Sequence, residues 1–193
     1  MDDSQPTDSQ VALETPSPSG TFIPPSVDKV PLLAGASSTY FSPIPPSLQP
    51  TDPSDPSSAP PCALGVDEAG RGPVLGPMVY GVFFLPLPLS DPLLRDTHHF
   101  DDSKVLKPDV RSALMRTLCD DRSSDLHASC GWATTSLSAR SIGANMLRPG
   151  AAYNLNAQAM DATVALIRGV YARGVNIQEI YVDTIGQPAA YQA

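Results

Sequence analysis

Cysteine is scarce in this chain of 193 residues: Cys62, Cys119 and Cys130 are the only three, and no two share C-x-x-C spacing. An odd, scattered set excludes a disulfide framework and a cysteine zinc cage, and reads as reduced intracellular thiols. A basic start followed by an apolar run is missing, so no secretory leader is expected. No stretch approaches 18 consecutive apolar residues, so neither a membrane-spanning helix nor a membrane partner is expected, and the reading is a nuclear or cytoplasmic protein. Phosphate-binding loops, dinucleotide fingerprints, nucleophile elbows and internal repeats are all absent. His98, His99 and His127 have no third ligand at metal spacing and read as surface histidines.

Basic residues are nearly absent from the first 61 positions. Lys29 stands alone there against Asp2, Asp3, Asp8, Glu14, Asp28, Asp52 and Asp55, a charge of -6 out of the net -8 for the whole chain. The remaining positions hold 13 acids and 11 bases, so the overall acidity does not exclude a polyanionic partner. The same 61 residues carry 14 of the 22 prolines and 12 serines, with Phe22, Tyr40 and Phe41 as their only aromatics. The composition predicts a disordered acidic tail over 1–61, dispensable for chemistry, followed by a folded unit over 62–193.

From Cys62 onward the pattern changes. "CALGVD" reads as a buried strand ending at Asp67 or Glu68, and "GPMVYGVFFL" as a second, stopped by Pro86, Pro88 and Pro92. "KPDVRSALMRTLC" predicts a helix with Pro108 in its first turn, and "HASCGWATTSL" a third strand with Trp132 in the core. A long helix is predicted over "AYNLNAQAMDATVALIRGVYARG", capped by Asn154, with Met160, Val164, Ile167 and Tyr171 as its apolar face. "IQEIYVDTIG" reads as a fourth strand. Three early strands, then helix and strand, predict an α/β fold with a mixed sheet and a parallel addition.

Asp67, Glu68 and Asp183 all fall at the ends of apolar strands. One such acid commonly caps a turn. Three together, next to Gly70-Arg71-Gly72, point to an all-oxygen site for Mg²⁺ or Mn²⁺ and to phosphodiester hydrolysis.

Those residues also carry a family resemblance. Asp67-Glu68-Ala69-Gly70-Arg71-Gly72-Pro73 resembles the opening motif of the type 2 ribonucleases H. Asp102-Ser103-Lys104 with Leu106 and Arg111, "YNLNAQAMDAT" from Tyr153, and "YVDTIGQPAAYQA" from Tyr181 resemble its later motifs, in order. The similarity runs from about Ala63 onward, and "VLGPMVYGV" and "YNLN" favour the eukaryotic branch. The resemblance implies a ribonuclease H-like fold: a five-stranded mixed sheet with flanking helices. It implies hydrolysis of the RNA strand of RNA/DNA hybrids and of ribonucleotide sites in duplex DNA, leaving 5′-phosphate and 3′-hydroxyl ends. It implies Asp67, Glu68 and Asp183 as catalytic metal ligands, and Gly70, Arg71 and Gly72 as readers of the ribose 2′-hydroxyl. Lys104 is implied as a phosphate contact, and two accessory proteins of a larger complex as partners.

The family's fourth metal-binding acid lies on a further strand, and the sequence stops ten residues past Asp183. The expectation is an N-terminal part of a longer enzyme, inactive by itself. Two rivals are another metal nuclease or transposase on the same fold, and a non-catalytic hybrid-binding subunit lacking the fourth acid.

Overall fold

The computed structural model describes residues 21–72, 75–149 and 153–183. Its sheet grows from two neighbouring strands, β2 (Cys62–Ala69) and β3 (Met78–Pro86), paired antiparallel with Asp67 opposite Gly81 and Glu68 opposite Tyr80. β4 (Gly131–Leu137) adds antiparallel to β3, and β5 (Ile177–Val182) adds parallel to β2. Pro86 closes β3 as expected, and the chain turns into a π-helix over Ser90–Thr97.

The fifth strand comes from the segment expected to be structureless. β1 (Ser38–Phe41) pairs antiparallel with β4, giving the order β1-β4-β3-β2-β5. The expectation of a disordered tail is therefore corrected from Thr21 onward; residues 1–20 lie outside the described residues. Leu48 is fully buried, and the Ser42 hydroxyl accepts the Trp132 N–H at 2.9 Å. Phe41 lies so close to the later helix that a Cβ at Gly169 would sit 2.3 Å from its ring. The Arg173 guanidinium covers the same ring at 3.6 Å. Prolines bar a helix interior or a central strand, but not an edge strand followed by a short 3-10 turn at Pro46–Leu48. A short helix α1 (Lys29–Leu33), capped by Asp28, precedes β1.

Two layers of helix cover the sheet. α5 (Leu155–Tyr171) starts at Asn154, whose side chain accepts the Ala157 N–H at 2.9 Å. It packs Ala159, Ala162, Leu166 and Val170 onto Leu64, Val66, Tyr80, Val82 and Phe84. Of the predicted apolar face, Ile167 packs against the core, but Met160 is 38% and Tyr171 47% exposed. Small Ala159 and Ala162 let the helix axis lie close to the sheet, where larger side chains would hold it off. On the opposite face, α2 (Pro108–Asp120) and α3 (Asp125–Ser129) bury Leu118 and Leu126 with Leu85, Leu93 and Trp132. Trp132 is core as expected, with its ring 5.0 Å from that of Tyr40. α3 takes up the front of the predicted third strand because Ser124 caps it through the Leu126 N–H. α4 (Ala139–Met146), capped by Ser138, joins β4 to the loop before α5. Each fully buried Leu or Phe in these layers contributes roughly 1.5–3 kcal/mol. No helix among the described residues is long and apolar enough to cross a membrane.

Candidate active site

The parallel pairing of β2 with β5 positions two of the acids. Val66 and Val182 are register partners, and the Asp183 N–H reaches the Val66 carbonyl at 3.5 Å. The backbones of Asp67 and Asp183 thus lie side by side, Asp67 within β2 near its end and Asp183 directly after β5. Strand alternation assigns both to the face that carries α2. Asp67 is exposed, and its Oδ1 accepts the Glu68 N–H at 2.7 Å. It lines a cavity of about 540 Å³ together with Asp101, Ser103 and Arg111. Gly65 and Gly81 form part of the floor, where the absence of side chains leaves room beside the carboxylate.

Glu68 is not brought to the same face. β2 runs on to Ala69, so alternation turns Glu68 toward the α5 side, opposite Tyr80. The Tyr80 hydroxyl is pushed above its ordinary pKa by burial, with Arg71 pulling it down and Glu68 pushing it up. Among the described residues, no three acidic, histidine or cysteine side chains are close enough together to hold a metal ion. Backbone register brings Asp67 and Asp183 next to each other, while alternation turns Glu68 to the other face.

The turn after β2 requires glycine. Gly70 has φ +85°, and a Cβ there would lie 2.7 Å from the Pro77 carbonyl oxygen. Gly72 is exposed with φ +141°, and a Cβ built there would meet nothing within 4 Å. Between them the Arg71 guanidinium donates to Asn156 Oδ1 at 2.6 Å, which ties the turn to the first helical turn of α5. Asn156 was missed in the sequence, although it falls inside "YNLN"; only the capping Asn154 had an evident role. Lys104 is exposed in the loop before α2, and its N–H donates to Asp102 Oδ1 at 2.9 Å.

A mixed five-stranded sheet with helices on both faces is the architecture of the ribonuclease H-like α/β class. The family model of ribonuclease HII matches residues 64–193, and the chain belongs to that family. Enzymes of this family depend on divalent metal ions. A ribonuclease H2 subunit of Neurospora crassa is 60% identical over 175 residues, covering 90% of this chain and 53% of that protein. Its namesake from Schizosaccharomyces pombe is 46% identical over 172 residues, covering 89% and 48%. The one from Homo sapiens is 43% identical over 133 residues, covering 69% and 42%. The chain thus spans about half the length of these relatives, and their names agree with the eukaryotic branch expected from the motifs.

Proposed function

We propose that this chain carries part of the active site of a type 2 ribonuclease H, one that hydrolyses the RNA strand of RNA/DNA hybrids and cuts at ribonucleotides in duplex DNA. The observation that carries the reading is the side-by-side placement of Asp67 on β2 and Asp183 just after β5, with Gly70-Arg71-Gly72 directly after β2. The donors are hard carboxylate oxygens without thiolate or imidazole, which suits Mg²⁺ or Mn²⁺. Asp67 and Asp183 would hold the ion between them. When bound, it would activate water and offset charge on the phosphoryl group.

The chain's own residues do the rest. Gly72 exposes backbone groups to a minor groove, where the 2′-hydroxyl distinguishes RNA from DNA. Arg71, held by Asn156, presents a guanidinium beside that backbone. Lys104 offers a point charge to a phosphate. The relatives are each named as one subunit of ribonuclease H2, and further chains of such a complex would complete the assembly.

The test is hydrolysis of a fluorescent RNA/DNA hybrid by the full-length protein. Asp67→Asn and Asp183→Asn are expected to lower kcat by about 100-fold or more, since an ion supplies several kcal/mol and about 1.36 kcal/mol is tenfold. Divalent-ion affinity unchanged in both variants would refute the ligand assignment. Equal cutting of an all-DNA duplex would refute the substrate assignment.

A further inference from the structure

Arg111 sits in the first turn of α2, exposed, and nothing in the proposed chemistry uses it. Its hydrogen bonds go to backbone: one Nη1 donates to the Leu106 carbonyl at 2.9 Å and to the Ser103 carbonyl. These two carbonyls bracket Lys104 and Val105. The same loop is folded from its other end by Asp102. Its Oδ1 accepts the Lys104 N–H at 2.9 Å, and its carbonyl accepts the N–H groups of Val105 at 2.8 Å and Leu106 at 3.0 Å. A loop of four residues is thereby closed on both sides, with Lys104 at its exposed tip. Arg111 and Asp67 also line one cavity, so the clamp fixes the loop against the rim next to the proposed reaction centre.

We propose that Arg111 is a positioning residue: it holds the 103–106 loop so that the Lys104 ammonium stands at one fixed place beside Asp67, ready for a nucleic-acid phosphate. This rests on the reading of Lys104 as a phosphate contact. A planar guanidinium suits the role because delocalisation fixes the two N–H bonds of Nη1 in the plane of the group, whereas the N–H bonds of an ammonium rotate freely on a flexible stem. A lysine whose loop is loose loses side-chain and backbone freedom on each encounter with substrate, and that cost falls on binding.

The test uses the full-length protein as parent, with Arg111→Met, Arg111→Lys, Lys104→Ala and the double variant Arg111→Met/Lys104→Ala. The substrate is a fluorescent RNA/DNA hybrid at several salt concentrations. Arg111→Met is expected to raise KM about tenfold with kcat within about twofold of the parent, the pattern of lost uniform binding. It should flatten the slope of log KM against log salt by about one unit, as Lys104→Ala does. The double variant should be no worse than Lys104→Ala alone. Arg111→Lys should behave like Arg111→Met; parental KM in that variant would show that charge rather than the clamp matters, and overturns the proposal. So does an Arg111→Met penalty that persists undiminished in the Lys104→Ala background. Amide hydrogen exchange gives a readout free of catalysis: the Lys104, Val105 and Leu106 amides should lose protection in Arg111→Met while those of β2 and β3 keep it. Unchanged protection overturns the clamp. A parent that cuts no hybrid, with the exchange result as expected, overturns the reading of Lys104 and leaves the clamp standing.

Discussion

Gly70 and Gly72 look alike in the sequence and carry different constraints. At Gly70 the positive φ coincides with a carbonyl oxygen 2.7 Å from where a Cβ would stand, and that oxygen belongs to Pro77 backbone, which cannot swing aside. Gly70→Ala is expected to lower unfolding free energy by about 1–3 kcal/mol. Gly72→Ala should cost about 1 kcal/mol or less, because only the backbone conformation is strained and no atom lies within 4 Å. Urea midpoints of the two variants check this; equal losses would contradict it. If Gly72 approaches a substrate through its backbone, its alanine variant should fail in hydrolysis out of proportion to its stability. Gly70 would show the reverse order of effects. The acids are more forgiving of the fold: Asp67 is exposed, so Asp67→Asn removes chemistry without opening the core.

At the scale of elements, β1 and the turn that follows it bear on how much of the chain the fold needs. Leu48 is completely buried against the α5 side of the sheet, so Leu48→Ala should cost about 2–5 kcal/mol. Deletion of residues 1–58 should lower the urea midpoint by more than that single change, and a midpoint equal to the parent's would show the segment to be an ornament. β2 through β5 were legible because each is an apolar run bounded by Gly, Pro or polar residues, and Asp67 and Asp183 stood at the ends of two of them. β1 was not legible because proline content is a local property, while an edge strand draws its stability from the surface that the rest of the molecule offers. The face of α5 was misread for a related reason. The 160-164-167-171 and 159-162-166-170 spacings both fit a helix, and spacing alone does not say which of two adjacent stripes faces the sheet. Glu68 was misplaced because β2 continues two residues past Asp67, with Ala69 still paired to Val79, so that alternation separates the two acids.

For the whole molecule, the two borders of the sheet are unlike each other. β1 is only four residues long and packs its Tyr40 and Phe41 against the core, whereas β5 presents Ile180, Tyr181 and Val182 at 41%, 62% and 48% exposure, with no strand on its outer side among the described residues. An open apolar edge is a template for further strand pairing. The 193-residue chain is expected to self-associate at micromolar concentration, and Ile180→Lys with Tyr181→Lys should restore the monomer in sedimentation velocity. A monomeric parent under the same conditions would refute this.

The parallel register of β2 and β5 also sets an order of events in time. β2 and β3 are joined by a short turn, and the β3–β4 partners Val82 and Ala133 are nearer in the chain than the β2–β5 partners Val66 and Val182; Trp132 on β4 is buried with Leu118, Leu126 and Cys130 of the connection before it. The β2–β5 pairing joins segments far apart in sequence, and such closures are slow. During refolding, fluorescence of Trp132, the single tryptophan, should therefore report an early species in which Asp67 has no Asp183 beside it. Recovery of nuclease activity in the full-length protein should lag behind that signal, and coincident traces would show that both halves of the sheet assemble together. In that interval most of the sheet is built but chemically silent, because the second carboxylate arrives only with the last strand.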